Sequence, residues 1–273
     1  MDRIVSPLFA ILASFSTAAA DVIARPQWRR HLEARGVRGT FVLFEPAEDR
    51  YLVVDESRAR QGFLPASTFK IPNALIGLEV GSITDENELF HWDGKPKVRA
   101  GWERDHTLAS GMRESVVWMF QEIARRTGKQ RMREWIEKLD YGNRDMRGGI
   151  DLFWLQGRLR VSAMQQVDFL RRLAEGELPM SQRSQRLVRR ALVSGRERGD
   201  ILYGKTGTTG AVEEPVHWWV GWIERQGRPL VYFAMNFTPA SRTRHEDRFA
   251  MARDILAEAG YRMPARRDNC TES

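Results

Sequence analysis

The sequence is poor in cysteine, and Cys270, three residues from the C-terminus, is the only one. No disulfide can form within the chain, and the tail position of this thiol argues against a nucleophilic role. The histidines are scattered without the spacing of metal ligands: His31, His91, His106, His217 and His245. The sequence therefore predicts neither a disulfide framework nor a metal site.

Long apolar runs are also scarce. Ile4 to Phe15 is the one candidate, and it is too short to cross a bilayer. Arg3 precedes it and the small residues Ala18–Ala20 follow it, a pattern typical of a secretory signal peptide over residues 1–20. The alternative is an ordinary N-terminal hydrophobic helix. We expect a mature chain that begins at Asp21, is exported to a bacterial periplasm and has no membrane contact after cleavage.

The sequence lacks internal repeats, low-complexity linkers and a dominant charge of one sign. Its net charge is +7, from 43 basic and 36 acidic residues, and bases alternate with acids in stretches such as ERDH, REWIEKLD and RHEDR. This pattern indicates solvated helix faces, so we expect no nucleic-acid partner. No shift in composition marks an internal boundary. Residues 21–273 are therefore predicted to form a single catalytic domain, as a monomer or a homodimer.

Segments rich in β-forming residues lie near both ends of the chain. Gly39 to Phe44 and Tyr51 to Asp55 form a predicted hairpin. The stretches VHWWVGWIE and PLVYFAMNF form a second hairpin around Gln226–Gly227, and DILYGKTG precedes it as a further strand. Two β-rich groups separated by more than a hundred residues can still pair in one sheet.

The intervening segment has helical periodicity. Apolar residues recur at helical spacing in four internal stretches and one C-terminal stretch: Ile71 to Leu78, Met132 to Leu139, Val167 to Leu173, Leu187 to Leu192 and Phe249 to Ala259. The patterns together predict an α+β fold, with an antiparallel sheet formed from both termini, flanking N- and C-terminal helices, and an inserted all-helical region. The sheet part spans about 21–65 and 195–273, and the helical part about 66–194.

A serine and a lysine stand three residues apart in LPASTFKIPNAL. Because proline is tolerated only in the first turn of a helix, Pro72 places Ser67 and Lys70 at a helix start. Residues i and i+3 share a helix face, so the hydroxyl and the amine can meet. Serine needs a base to act as a nucleophile, and a lysine desolvated by apolar neighbours can serve. The alternative is a capping serine beside a lysine that reaches solvent.

Two further stretches carry polar residues at the ends of predicted helices or strands. Ser115, in RESVVW, precedes a helical run from Val116 to Ala124, where it is either an N-cap or a proton relay. Lys205, Thr206 and Gly207 end a predicted strand in YGKTGTTG. Glycine lets a ligand approach a strand edge, and lysine supplies charge for an anionic substrate. The alternative is a strand that simply ends in a Gly/Thr turn.

The order S-x-x-K, S-x-V and K-T-G resembles that of the penicillin-recognising serine enzymes. With Tyr141-Gly142-Asn143 and Phe153-Trp154-Leu155 between them, the sequence is similar to class D β-lactamases (oxacillinases) from about Trp28 to the C-terminal helix. The resemblance implies hydrolysis of a small-molecule β-lactam antibiotic, such as a penicillin or oxacillin. It also implies no cofactor other than the carbon dioxide or bicarbonate that carboxylates a lysine.

The resemblance implies specific catalytic roles. Ser67 becomes acylated, and Lys70 reacts with carbon dioxide to give an N-carboxylated lysine that acts as general base. The indole N–H of Trp154 donates to that group, and Ser115 passes a proton to the ring nitrogen. The backbone amides of Ser67 and Thr208 form the oxyanion hole.

Further residues are implied in substrate binding. Four of them hold the substrate carboxylate: Lys205, Thr206, Gly207 and Arg248. Arg242 and Arg244 are close enough in sequence to take the place of Arg248. Three apolar residues are implied to keep the active site apolar: Phe69, Val117 and Leu155. Many family members have an aromatic residue directly after K-T-G, whereas this chain has Thr208, so the sequence leaves the substrate range open.

Three other functions compete with β-lactam hydrolysis. A penicillin-binding or sensor domain would be acylated without turnover, but such sensors sit behind transmembrane helices, and no segment of this sequence resembles one. A cell-wall transpeptidase would release D-alanine from a peptide. A basic surface-binding module would bind DNA or anionic vesicles in a salt-sensitive manner. The five stretches in family order favour the hydrolase.

Overall fold

The computed structural model describes residues 20–266, so the predicted signal peptide, apart from Ala20, and Cys270 lie outside the described residues. The strands are β1 (Asp21–Ala24), β2 (Arg38–Glu45), β3 (Arg50–Val53), β4 (Val193–Glu197), β5 (Asp200–Thr208), β6 (His217–Arg225) and β7 (Arg228–Thr238). The α-helices are α1 (Arg29–Glu33), α2 (Glu56–Arg60), α3 (Lys70–Glu79), α4 (Leu108–Arg113), α5 (Val117–Thr127), α6 (Lys129–Lys138), α7 (Ala163–Glu175), α8 (Gln182–Ala191) and α9 (Asp247–Glu258). Within residues 20–266, no helix has the length and apolar character that a bilayer crossing demands.

All seven strands join one sheet, in the order β1-β3-β2-β7-β6-β5-β4. The N-terminal and C-terminal strands meet where β2 pairs antiparallel with β7, from Arg38 opposite Thr238 to Phe44 opposite Tyr232. Helices α3 to α8 lie between β3 and β4 along the chain. The predicted α+β class, with a sheet built from both ends of the chain, is confirmed.

One strand pair departs from the predicted antiparallel arrangement. β1 runs parallel to β3, with Asp21 opposite Arg50 and Ala24 opposite Val53. Because the chain passes through α1 and β2 before it enters β3, it returns in the direction of β1. The sequence pattern reveals neither β1 nor β4, since both are short edge strands with mostly half-exposed side chains and little alternation.

Apolar layers cover both faces of the sheet. One layer lies against the inserted helices and includes Phe69, Trp154 and Trp218. The other lies against α1 and α9 and includes Trp219 and Phe233. Trp218 and Trp219 are neighbours on β6, and they enter different layers because side chains alternate along a strand. The sheet therefore separates the helical layer, where α3 lies, from the layer under α9.

Helix α3 runs through the helical layer, and every residue from Lys70 to Leu78 is buried. Pro72 in its first turn breaks no hydrogen bond, since the first N–H groups of a helix have no intrahelical partner. Gly77 allows α5 to approach closely, because a Cβ atom there would lie 2.8 Å from Cγ2 of Ile123. This packing gives the start of α3 a fixed place beside the sheet.

Ser162 caps α7 and provides a test of local stability. Its hydroxyl accepts from the Gln165 N–H at 3.1 Å, and the Gln165 side chain accepts from the Ser162 N–H at 3.0 Å. We expect Ser162→Ala to lower the free energy of unfolding by about 1 kcal/mol, because the Gln165 N–H loses its acceptor. Urea denaturation measures the change. Ser57→Ala, on an exposed face of α2, is the control and should stay within about 0.5 kcal/mol of the wild type. Equal stability of the two variants would contradict the capping role.

Candidate active site

A tight turn presents Ser67 at the start of α3. The residues Ala66–Phe69 form a 3-10 helix that leads directly into α3 at Lys70. Ala66 has a positive φ of 48°, and its N–H donates to the carbonyl oxygen of Trp154 at 3.0 Å. The side chain of Ser67 is partly exposed, whereas the residues on either side of it are buried. The turn thus holds one hydroxyl within reach of a ligand.

The amine of Lys70 lies between two serine hydroxyls. Lys70 Nζ lies 2.7 Å from Ser67 Oγ, 2.9 Å from Ser115 Oγ and 2.7 Å from the carbonyl oxygen of Ser115. As a neutral amine it donates to the two Ser115 oxygens and accepts from the Ser67 hydroxyl. The lysine is 1% exposed, so the alternative of an amine that reaches solvent is wrong. One buried amine therefore contacts both serines that the sequence pattern singled out.

Burial lowers the pKa of Lys70 well below its ordinary value. The main cause is the loss of hydration, which penalises the charged form, and the positive charges of Lys205 and Arg99 act in the same direction. The ring of Phe120, whose centroid lies 5.5 Å from Nζ, forms part of the apolar surroundings. A neutral amine beside a serine hydroxyl has the lone pair that a base needs.

Ser115 joins the two lysines of the site. The N-cap of α5 is Val116, without a side-chain cap, so the interpretation of Ser115 as a helix cap is wrong. Ser115 has a positive φ of 57°, and its Oγ accepts from Lys70 Nζ and from Lys205 Nζ, each at 2.9 Å. A hydroxyl that accepts two hydrogen bonds still has its own proton to donate.

Lys205 lies in the second half of β5 and is 3% exposed. Besides its contact with Ser115, its Nζ donates to the Thr206 carbonyl oxygen at 3.1 Å. Burial, followed by the positive charges of Arg248, Arg99 and Arg266, lowers the pKa of Lys205 to about 7. Near neutral pH the amine therefore exchanges its proton readily, and a bound anion would favour the charged form.

The end of β5 packs directly against the turn that carries the serine. A Cβ atom at Gly207 would lie 2.9 Å from the carbonyl oxygen of Pro65 and 3.1 Å from Cγ2 of Thr68. Glycine is therefore required for this approach. Thr208 follows as an exposed residue, so the two segments whose amides are predicted to form an oxyanion hole, at Ser67 and Thr208, lie side by side.

Arg248 lies in the first turn of α9 and is fully buried behind β5. Its Nη1 donates to the Gly207 carbonyl oxygen at 3.0 Å, and its Nη2 donates to Thr208 Oγ1 at 3.1 Å. Burial lowers the pKa of Arg248 to about 9. The other two arginines considered for this place, Arg242 and Arg244, are exposed. Of the three arginines, Arg248 is the one bonded to the end of β5.

Trp154 lies beside the buried lysine's helix in an aromatic cluster. Its ring stacks on Phe69 with centroids 5.2 Å apart and meets Phe153 edge-on at 5.0 Å. The ring is fully buried, and its Nε1–H has no hydrogen-bond partner within residues 20–266. A buried N–H without an acceptor is costly, so this group marks a place where an acceptor fits. Val117 and Leu155, by contrast, are partly buried apolar residues.

Sequence reasoning missed the loop that precedes Ser115. Trp102 Nε1 donates to the Glu114 carbonyl oxygen at 2.9 Å, and Trp118 Nε1 donates to the Trp102 carbonyl oxygen at 3.0 Å. Arg99 lies over the Trp102 ring, with its guanidinium carbon 5.6 Å from the centroid. No periodicity marks Arg99 and Trp102. The one available signal is a tryptophan set among charged residues outside any predicted element.

The site as a whole combines three chemical elements. Ser67 offers a reachable hydroxyl, Lys70 offers a buried amine of lowered pKa, and Ser115 connects that amine to a second one at Lys205. Cations near the end of β5 complement an anionic ligand. The arrangement suits attack by the serine on an anionic substrate, with a lysine as proton acceptor.

Comparisons with known proteins show which family this chain resembles. The sequence profile of the family described as penicillin binding protein transpeptidase domain matches residues 39–257. The chain is 42% identical over 233 residues to beta-lactamase OXA-10 of Pseudomonas aeruginosa, covering 84% of this chain and 87% of that protein. It is 38% identical over 251 residues to beta-lactamase OXA-48 of Klebsiella pneumoniae, covering 92% and 94%. Among solved structures, a class D beta-lactamase, YbXI from Nostoc, superposes with a TM-score of 0.82 at 33% identity, covering 86% of this chain and 98% of that one.

The buried Lys70 amine predicts a pH-dependent stability. Because its pKa is lower in the folded chain than in the unfolded chain, the unfolded chain binds the extra proton. Folding therefore gains stability as pH rises from the lowered pKa towards the ordinary value of 10.5, by up to about 1.4 kcal/mol per pH unit. We expect the unfolding free energy, measured with urea in carbon dioxide-free buffer, to rise more steeply with pH in the wild type than in Lys70→Met.

The control for this experiment is Lys129→Met, which removes an exposed lysine at the start of α6. Its stability should follow that of the wild type across the pH range. Parallel curves for the wild type and Lys70→Met would mean that the amine is charged in the folded protein, which would contradict the account.

Proposed function

This chain belongs to the class D β-lactamases, a family of serine hydrolases, and we propose that it hydrolyses β-lactams of the penicillin and oxacillin type through an acyl-enzyme on Ser67. The observation that carries the proposal is the position of the Lys70 amine, hydrogen-bonded at once to Ser67 Oγ and Ser115 Oγ. Relatives named as beta-lactamases, which the chain matches over most of its length, support the substrate class.

Ser67 acts as the nucleophile. Its Oγ attacks the carbonyl carbon of the lactam while its proton passes to the neutral Lys70 amine, 2.7 Å away. The first amides of a helix point outward without intrahelical partners and favour negative charge. The amides of Ser67 and Thr208 therefore stabilise the developing oxyanion, a role supported by the close approach of β5 to the turn.

Ser115 completes the proton path to the leaving group. Because its hydroxyl accepts from both lysines, its own proton is available to the lactam nitrogen. As the C–N bond breaks, Ser115 donates this proton to the nitrogen and takes one from the protonated Lys70. The ring opens, and Ser67 is left esterified.

Four residues around the end of β5 hold the substrate carboxylate: Lys205, Thr206, Gly207 and Arg248. Lys205 carries the charge nearest to Ser115, and its pKa of about 7 rises when an anion binds. Arg248 also donates hydrogen bonds to the Gly207 carbonyl oxygen and to the Thr208 hydroxyl. It therefore adds positive charge and holds the strand end in place.

Lys70 is also the proposed point of carboxylation by carbon dioxide. That modification needs a neutral amine, which burial favours. Once carboxylated, Lys70 would replace the free amine as the general base, for both acylation and deacylation. The surrounding residues fit such a group, because Trp154 offers a buried indole N–H that has no partner within residues 20–266, and Lys205 offers a positive charge. Val117 and Leu155 add apolar surface.

Export to a bacterial periplasm is part of the proposal. It is supported by the signal-peptide pattern of residues 1–20 and by the functions named for the relatives. A penicillin sensor, which would be acylated without turnover, is the alternative that the next experiment distinguishes.

Ser67→Ala and Lys70→Ala distinguish acylation from deacylation. With benzylpenicillin, we expect Ser67→Ala to lose turnover by about 10³-fold or more and to gain no mass, because no nucleophile is present. Lys70→Ala should form an adduct slowly and retain it, because deacylation lacks a base. Product formation and intact-protein mass spectrometry measure these outcomes, with Ser57→Ala as the control that behaves like the wild type.

Either of two results would count against the proposal. A wild-type adduct that persists for hours without product would identify a sensor instead of a hydrolase. Turnover by Ser67→Ala at the wild-type rate would refute the acyl-enzyme.

Trp154→Phe tests the role of the unpaired indole N–H. The ring packing on Phe69 is retained while the donor is lost, so we expect the bicarbonate concentration for half-maximal activity to rise about tenfold. The ¹³C signal of the lysine carbamate, followed by NMR with labelled bicarbonate, should weaken in parallel. Trp219→Phe is the matched control, because Trp219 also has a buried N–H without a partner in the described residues but lies in the layer under α9. Equal bicarbonate dependence in both variants would contradict the role of Trp154.

A further inference from the structure

Arg99 lies in the loop between α3 and α4, and its side chain is exposed. Its guanidinium group lies over the ring of Trp102. Trp102 is fixed at two points, because its ring N–H donates to the Glu114 carbonyl oxygen and its backbone carbonyl accepts from Trp118. The guanidinium group of Arg99 therefore lies on an ordered ring that is hydrogen-bonded to Glu114, the residue before Ser115.

Unlike Lys97 and Arg104 of the same loop, Arg99 forms no ion pair within residues 20–266. Lys97 pairs with Asp93 at 2.6 Å, and Arg104 pairs with Glu114 at 3.8 Å. Within the part of the chain that the structure describes, no carboxylate forms an ion pair with Arg99. Its charge is therefore available to a ligand.

The charge of Arg99 acts on the active site. It lowers the pKa of Lys70, of Lys205 and of Arg248. The geometry agrees, because the Trp102 ring under Arg99 is hydrogen-bonded to the carbonyl oxygen of Glu114, the residue before Ser115. The charges that act most strongly on Lys70 and Lys205 are all positive. Arg99 thus adds positive charge in excess of that which Lys205 and Arg248 offer to one substrate carboxylate.

A second anionic group on the substrate would meet this excess. The first carboxylate occupies the end of β5, where Lys205 and Arg248 lie. Arg99 stands in a separate loop, exposed and stacked on an aromatic ring that restricts its movement. A planar guanidinium group binds a carboxylate through two parallel hydrogen bonds, which a pre-positioned side chain achieves at a smaller loss of entropy.

We propose that Arg99 is a specificity-determining residue that binds a second carboxylate, carried on the acyl side chain of the substrate. The enzyme then favours dianionic penicillins over monoanionic ones. This inference rests on the proposed β-lactam hydrolysis and adds a substrate class to it.

A matched pair of substrates tests the inference. Carboxybenzylpenicillin and benzylpenicillin differ by one side-chain carboxylate, and the ratio of their kcat/KM values measures the preference for the dianion. We expect Arg99→Met to lower this ratio about fivefold, in the range of a partly exposed charge pair. Arg99→Glu should lower it further by repulsion, and Arg99→Lys should retain part of it through its charge. Because both substrates are measured with the same variant, any general effect of the lost Trp102 contact on kcat/KM cancels in the ratio.

Lys95→Met is the control, because it removes one exposed cation from the same loop. Its ratio should equal that of the wild type. Added sodium chloride should bring the wild-type ratio towards that of Arg99→Met, since salt screens an exposed charge. An unchanged ratio in Arg99→Met, or an equal loss in Lys95→Met, would overturn the role of Arg99. Failure of the wild type to hydrolyse benzylpenicillin would instead defeat the proposed function, so the two failures are distinguishable.

Discussion

The placement of the Lys70 amine in the protein interior is the constraint on which the rest of the structure depends. A buried lysine penalises its own charged form, and among residues 20–266 no carboxylate acts on Lys70 to offset that penalty. The surrounding fold supplies the burial through α3, which is covered along its first nine residues. The amine is then left with two serine hydroxyls as partners. A position that is unfavourable for the charged lysine thus favours the neutral amine, which can act as a base, as expected where activity depends on a destabilised group.

Lys205, the second buried lysine, contributes to substrate binding. Lys70 and Lys205 share the hydroxyl of Ser115, and each positive charge disfavours the other. Arg248 holds the end of β5 from behind, through a carbonyl and a hydroxyl oxygen. The cleft therefore brings several basic groups together, and their positive field favours an anionic ligand. Such a field raises the local concentration of anionic ligands and orients them before contact.

Much of the fold is readable from local pattern. The hairpins, the capping box at Ser162 and the helix start at Pro72 each depend on residues a few positions apart, and the structure contains all three. The i, i+3 spacing also places Ser67 and Lys70 within one hydrogen bond. β1 and β4 are different, because a short edge strand is defined by its neighbour in the sheet and not by its own alternation.

The remainder of the site depends on contacts between distant segments. The position of Ser115 follows from a positive φ in a loop, and its two lysine partners lie 45 and 90 residues away. The unpaired N–H of Trp154 is a property of its surroundings, which no sequence pattern expresses. The same holds for Arg99, whose support on Trp102 is set by hydrogen bonds to the two segments that flank Ser115.

One measurement tests the protonation state of Lys70 most directly. The lysines are few: Lys70, Lys95, Lys97, Lys129, Lys138 and Lys205. Labelling them with ¹³C at Cε and following the NMR shifts with pH in carbon dioxide-free buffer resolves each amine, with Lys70→Met to assign the signal. The account predicts that the Lys70 signal titrates well below 10.5, the ordinary lysine value. A Lys70 signal that titrates near that value would contradict it.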